Sequence, residues 1–200
     1  FAGQYDSFLN VSSVHLANKI LEVWRSNYSP HIMAYRKQNK LPLNHDIAVI
    51  IQQMIPADVS GVAFGADPIT GDESAHIISA VYGLGEGLVS QNFPADTYTL
   101  QYENTGELVG IESDIVTKVE AIRPNRGDEC GVSTKPVEEG LQNEDTLRKN
   151  QLIEISQELF KLREYFGTPQ DMEFCYFHNE LFILQSRAIT QTKGEYILWD

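Results

Sequence analysis

Apolar residues recur at helical spacing in two stretches of this chain. Over residues 14–38, Leu16, Ile20, Val23, Trp24 and Tyr28 share one side, and Pro30 is predicted to split the stretch into two helices. Over residues 144–166, Leu152, Ile155, Leu159, Leu162 and Phe166 form a stripe at core spacing. Asn143 is its predicted cap, and Gly167 followed by Pro169 its stop. Between the helices the pattern changes to short runs of branched residues. Residues 47–54 (IAVIIQQM) are predicted to form a buried strand, and residues 59–66 a second, with Gly61 and Gly65 permitting close approach. A turn cluster at residues 67–72 follows. Further strands are predicted at 77–81, 96–101, 108–111, 116–122 and 131–137, with a turn at residues 104–106.

After the last helix the period drops to two. Residues 172–177 and 181–189 are aromatic and branched, and His178, Asn179 and Glu180 between them are turn-like, which predicts a β-hairpin. Side chains two apart on a strand share a face. A three-residue loop would set Phe177 opposite Leu181, Glu173 opposite Gln185 and Asp171 opposite Arg187. It would also group Met172, Phe174, Tyr176, Phe182 and Leu184 on an apolar face, whereas a two-residue loop would slip the second strand by one. The first register leaves two carboxylates, an amide and a guanidinium together. Carboxylate and amide oxygens suit Mg²⁺, and the planar Arg fork suits a phosphate. The same spacing equally suits an ordinary cross-strand Asp–Arg pair on a half-exposed hairpin.

Composition narrows the partners. The net charge of −13 argues against nucleic acid, which needs basic patches. An acidic protein still binds an acidic nucleotide when a divalent metal lies between them. No apolar run is long enough to span a membrane. Cys130 and Cys175 are the only cysteines, which is no disulfide framework and points to a reducing, cytoplasmic setting. The five histidines show no metal-ligand or triad spacing. Arg25, Arg36, Lys37 and Lys40 are expected on a solvated face. The run Gly83-Leu84-Gly85-Glu86-Gly87 lacks the spacing and following helix of a dinucleotide fingerprint.

Several of these stretches together resemble the nucleotide-binding domain of phosphoenolpyruvate synthase, pyruvate phosphate dikinase, rifampicin phosphotransferase and the glucan water dikinases. QDMEF followed by ILQSRAIT is similar to the end of that domain, VIIQQMIPADVSGVAFGADPITGD to its central segment, FAGQYDSFLN to its phosphate loop and GLGEGLVS to its GLGE loop. Ala188 stands where the family usually has Pro, Gly65 where Thr is common, Gln91 where Gly is usual and Ser7 in place of a Thr. The resemblance implies an ATP-grasp fold: an α+β lobe with a mixed, mainly antiparallel sheet and flanking helices. It implies that residues 1–40 are a remnant of an N-terminal lobe, 41–192 the lobe with the metal and phosphate hairpin, and 193–200 the start of a linker.

It also implies site residues. Glu173 and Gln185 would hold Mg²⁺ on ATP, Arg187 would contact the phosphates, and Asp171 and Glu86 would complete the cluster. Gly3, Gln4 and Ser7 would lie over the phosphates, and the backbone of Gln52, Gln53 and Met54 would bind the base. Family enzymes pass a phosphoryl group to a histidine on a swivelling domain, and an acceptor-binding domain completes the reaction. The chain starts at Phe1, and the implied Lys and Arg of the N-terminal lobe are expected before it. Two readings follow: part of an ATP-dependent phosphotransferase that is inactive alone, or a non-catalytic nucleotide-binding or interaction module.

Overall fold

The structure is a computed structural model that describes residues 5–89, 93–103, 105–127 and 129–189. The chain forms two compact units, one of residues 1–54 and 124–133, the other of 55–123 and 134–200.

In the first unit, α1 (Leu16–Ser26) and α2 (Pro30–Gln38) take the places the apolar spacing and Pro30 predict. Pro30 opens α2 because the first turn needs no N–H from it, and the Ser29 hydroxyl accepts the Ile32 N–H as a cap. Arg36 departs from the solvated-face expectation: it is fully buried. Its guanidinium donates to Asn27 Oδ1 at 2.5 Å, to the carbonyls of Asn27 and Leu43, and to the Tyr5 hydroxyl. A planar five-donor group can satisfy several such acceptors at once, which makes its burial tolerable. The Asn10 amide donates to the carbonyls of Asn125, Glu129 and Gly131, and so ties residues 124–133 into this unit.

Residues 47–54 are not the buried strand that their composition predicts. They carry no strand pairing, and Ile50 and Ile51 are exposed. Branched side chains favour the extended backbone, but a strand exists only where a neighbour supplies its hydrogen bonds, and none among the described residues does.

The second unit is built on a six-stranded sheet in the order β4-β3-β2-β1-β7-β8, antiparallel at every junction. The strands are β1 (Val59–Phe64), β2 (Ala75–Tyr82), β3 (Asp96–Tyr102), β4 (Leu108–Asp114), β7 (Gln170–Phe177) and β8 (Glu180–Ala188). A short helix α3 (Glu86–Val89) follows β2, and β5 (Glu120–Pro124) and β6 (Val132–Pro136) form a separate ribbon. With the helices this is the expected α+β class with a mainly antiparallel sheet. The ribbon's first strand begins four residues later than the expected 116–122. The Val116 N–H is taken by Asp96 Oδ1 and the Lys118 N–H by the Gln142 carbonyl, so neither is free for a strand partner.

Helix α4 (Lys149–Phe166) covers one face of the sheet. Leu152, Ile155 and Leu159 meet Val59, Ala63, Ile78, Ala80, Tyr98, Leu100, Met172, Phe174 and Tyr176 in a continuous core. Gly167 ends the helix in the left-handed conformation (φ 74°) that its position predicts. The start is later than expected, at Lys149 rather than near Asn143. Residues 144–148 are held out of the helix because Asp96 Oδ2 accepts the Thr146 N–H and the Tyr98 hydroxyl accepts the Leu147 N–H. Asp96 is fully buried, and its other oxygen accepts from Lys118 Nζ at 2.6 Å.

A second buried polar group sets the acid stability of this unit. His76 on β2 is 1% exposed, with Nδ1 2.6 Å from Ser156 Oγ, and its ring packs on Tyr102 and Phe160. Burial, and then the positive charge of Arg163, push its pKa from 6.5 down to about 4. The folded state therefore keeps His76 neutral where the unfolded chain protonates it. Its contribution is intact above pH 6.5 and is lost as the pH falls from 6.5 towards 4, by up to about 3 kcal/mol. Replacing His76 with Phe should flatten the fall in thermal midpoint between pH 7 and pH 4.5. An unchanged fall would contradict this.

Candidate phosphate and metal site

The hairpin reaches the expected pairing at its open end by an unexpected route. Glu173 stands opposite Gln185 and Asp171 opposite Arg187, as the parity argument requires. The loop, however, has two residues, with Phe177 opposite Glu180 rather than Leu181. His178 and Asn179 both have positive φ (50° and 63°), the mirror-image turn that matches strand twist. A one-residue slip should then have thrown the two polar pairs onto opposite faces. It does not, because a bulge lies between Glu173 and Phe174: Phe174 pairs with Ile183, while Glu173 pairs with Gln185. Leu184 is the extra residue, and it restores the register. The expected apolar grouping changes near the turn: Phe182 stands opposite Cys175, and it is Leu181, opposite Tyr176, that packs against the core.

Sheet register assembles the rest of this face. Gln185, Glu173, Val62, Ser79, Thr97 and Asp114 stand opposite one another through all six strands. Arg187, Asp171, Phe64, Ile77, Thr99 and Glu112 make the neighbouring row. Neighbouring strands are about 4.8 Å apart. Both rows lie on the face opposite α4. Ser79, Thr97 and Thr99 were passed over in the sequence because only the register of β2 and β3 places their hydroxyls in line with Glu173 and Asp171. The Ser79 and Thr97 hydroxyls are 3.5 Å apart.

At the hairpin end, Arg187 Nε donates to Asp171 Oδ1 at 3.1 Å and Nη2 to Glu173 Oε1 at 3.5 Å. One guanidinium spans both carboxylates. Burial pushes the Glu173 carboxyl above its ordinary range, Arg187 pulls it back, and Asp171 adds to the upward push. A carboxylate kept partly dry beside a second one gains most from a cation.

Glu86 opens α3 at the end of a loop tied to the same face. Gly83 has φ +80°, and a Cβ there would meet the Ile122 carbonyl at 2.2 Å, so only glycine fits. The Ser60 hydroxyl donates to the Gly83 carbonyl at 2.7 Å, the Gly83 N–H to Asp58 and the Leu84 N–H to Ile122. Ser60 shares the face of Val62 by parity. Glu86 itself is half-buried.

Ser7, Gln52, Gln53 and Met54 belong to the first unit. Ser7 is exposed in a loop. Gln52 and Gln53 are exposed and Met54 half-buried, all on the extended segment. Gly3 and Gln4 lie outside the described residues. Among the described residues no group of three or more His, Cys, Asp or Glu is arranged to hold a metal ion. The hairpin offers two carboxylates and one amide instead. That donor set fits Mg²⁺, which typically takes one or two carboxylates and fills its octahedron with phosphate oxygens and water.

The profile of the pyruvate phosphate dikinase AMP/ATP-binding domain matches residues 1–196. Rifampicin phosphotransferase of Bacillus cereus is 35% identical over 95% of this chain, which corresponds to 21% of its own length. A probable phosphoenolpyruvate synthase of Methanothermobacter thermautotrophicus is 31% identical over 98% of the chain and 28% of its own length. The prodigiosin synthesizing transferase PigC of Serratia marcescens is 30% identical over 95% of the chain and 21% of its own length. The chain thus spans between a fifth and three-tenths of these relatives.

Proposed function

The chain belongs to the pyruvate phosphate dikinase AMP/ATP-binding domain family, and from that premise we propose that it binds Mg-ATP and, within a longer phosphotransferase, passes a phosphoryl group to a histidine on another domain. The observation that carries this reading is the meeting of Asp171, Glu173, Gln185 and Arg187 at one end of the sheet face opposite α4. Glu173 and Gln185 hold the metal, with Asp171 beside them. The metal, when bound, neutralises charge between the carboxylates and the phosphates.

Arg187 holds Asp171 more closely than Glu173. Phosphate oxygens compete first for the longer contact, so the guanidinium turns its fork to the nucleotide while Asp171 keeps it oriented. Glu86 faces the same region from the GLGE loop. Gly3, Gln4 and Ser7 contribute backbone and hydroxyl donors to the phosphates, and the backbone of Gln52, Gln53 and Met54 binds the base. The phosphoryl group leaves on a swivelling histidine domain, and an acceptor-binding domain receives it. Neither nucleic acid nor a membrane is a partner, and the setting is the cytoplasm.

The test uses the longer protein that carries this sequence. It is incubated with ATP labelled at the β- or γ-phosphate in the presence of Mg²⁺. The expected result is an acid-labile phosphoprotein together with AMP or ADP. Nucleotide binding without any phosphoprotein would leave only a binding module and overturn the transfer step.

A further inference from the structure

A second cluster of reactive side chains lies in the first unit, away from the carboxylates. Cys130 Sγ is 3.5 Å from His15 Nδ1, although the two are 115 positions apart in sequence. The same sulfur accepts the backbone N–H of Ser12 at 3.5 Å and lies 3.7 Å from the Ser12 hydroxyl. His15 Nδ1 is also 2.9 Å from that hydroxyl. Cys130 is half-buried and His15 is exposed, so solvent reaches the pair. His15 immediately precedes α1. The anchor is firm, because the Asn10 amide donates to carbonyls on both sides of Cys130, those of Glu129 and Gly131.

A ring nitrogen within reach of the thiol and an N–H aimed at the sulfur are contacts that a reactive cysteine uses. We propose that Cys130 is a modification site, a thiol that hydroperoxides oxidise to a sulfenic acid with His15 as the proton carrier. The thiol proton moves to His15 Nδ1. The sulfur lone pair then attacks the terminal oxygen of the hydroperoxide, and an S–O bond forms as the O–O bond breaks. The departing alkoxide, or hydroxide where the oxidant is hydrogen peroxide, takes the proton back from His15. Sulfur is oxidised by two electrons, the peroxide is reduced by two, and a molecule of alcohol or water is released. During the step the Ser12 N–H stabilises the negative sulfur.

Cys175 is an internal control. It lies in β7 at 1% exposure, and burial pushes its thiol up to about 11. Such a thiol is inert.

The experiment treats the folded chain with hydrogen peroxide, traps sulfenic acid with dimedone and reads both cysteines by mass spectrometry. Cys130 should be labelled about tenfold or more faster than Cys175, and faster than the same thiol in a short unstructured peptide. His15→Ala and His15→Gln should each slow Cys130 about tenfold while leaving Cys175 and the helical circular dichroism unchanged. In guanidinium the two cysteines should react alike. Equal labelling of Cys130 in the folded chain and the peptide would overturn the proposal. So would wild-type rates in both His15 variants.

Discussion

Replacing Arg187 with Ala should reduce phosphoryl transfer by about a hundredfold to a thousandfold, the usual cost of removing one preorganised charge-stabilising donor. Asp171 holds the side chain through Nε before any nucleotide arrives, and the longer Nη2 contact with Glu173 is the one that phosphate oxygens would replace. Fixing the donor beforehand is what makes it effective as charge shifts on the phosphates. Its loss also touches the fold. Asp171 has a side chain only 12% exposed and loses the partner of its 3.1 Å contact. That costs about 1–3 kcal/mol, or roughly 2–12 °C in thermal midpoint for a chain of this size. The two effects separate when transfer is assayed well below the variant's own midpoint. Arg187→Lys should recover most of the stability but only part of the rate, because an ammonium cannot reproduce the fork. Wild-type transfer in Arg187→Ala would remove this residue from the chemistry.

The largest effect on folding should come from Gly61→Val. Gly61 lies in the middle of β1, between β2 and β7. A Cβ there would sit 2.2 Å from the Ser79 carbonyl and 2.7 Å from the Phe174 ring. A ring can rotate, but a paired backbone carbonyl in the next strand has nowhere to go. Repulsion at these distances should cost about 3 kcal/mol or more, a fall of roughly 6–12 °C or outright failure to fold. Phe174→Leu should not rescue it, since the clash with Ser79 remains. Gly110 on edge strand β4 is the contrast, because a Cβ there would meet nothing within 4 Å. Gly110→Ala should stay within about 0.5 kcal/mol of wild type or gain slightly. Equal thermal midpoints for the two variants would contradict the packing of β1 against Ser79 and Phe174.

How far the sequence carried can be judged from single elements. Local rules sufficed where the cause was local. Pro30 opens α2, Gly167 closes α4, and parity keeps Asp171 beside Glu173 on one strand and Gln185 beside Arg187 on the other. They failed where a distant group intervened. The start of α4 is decided by Asp96 and Tyr98, about fifty positions upstream. The branched run at residues 47–54 has strand propensity but no partner among the described residues. Arg36 is buried by carbonyls and an amide that no charge pattern announces.

The hairpin shows two departures that cancel. Its turn is one residue shorter than expected and its second strand one residue longer through Leu184, so the polar pairs meet as the parity argument requires. The hydroxyl row of Ser79 and Thr97 could be read only once the register of three more strands was known.

The measurement that bears most directly on the account is a calorimetric titration of ATP into the protein with and without Mg²⁺, repeated on Glu173→Ala. On the proposed reading, Asp171, Glu173 and Glu86 would present negative charge to a triphosphate, and Arg187, paired with two of them, would offset only part of it. Without metal those charges repel at short range. Removing Mg²⁺ should weaken wild-type binding by about tenfold or more, equivalent to about 1.4 kcal/mol, and Glu173→Ala should largely lose this dependence. Equal affinity with and without Mg²⁺ in the wild-type protein would show that the hairpin is not where metal and phosphate meet.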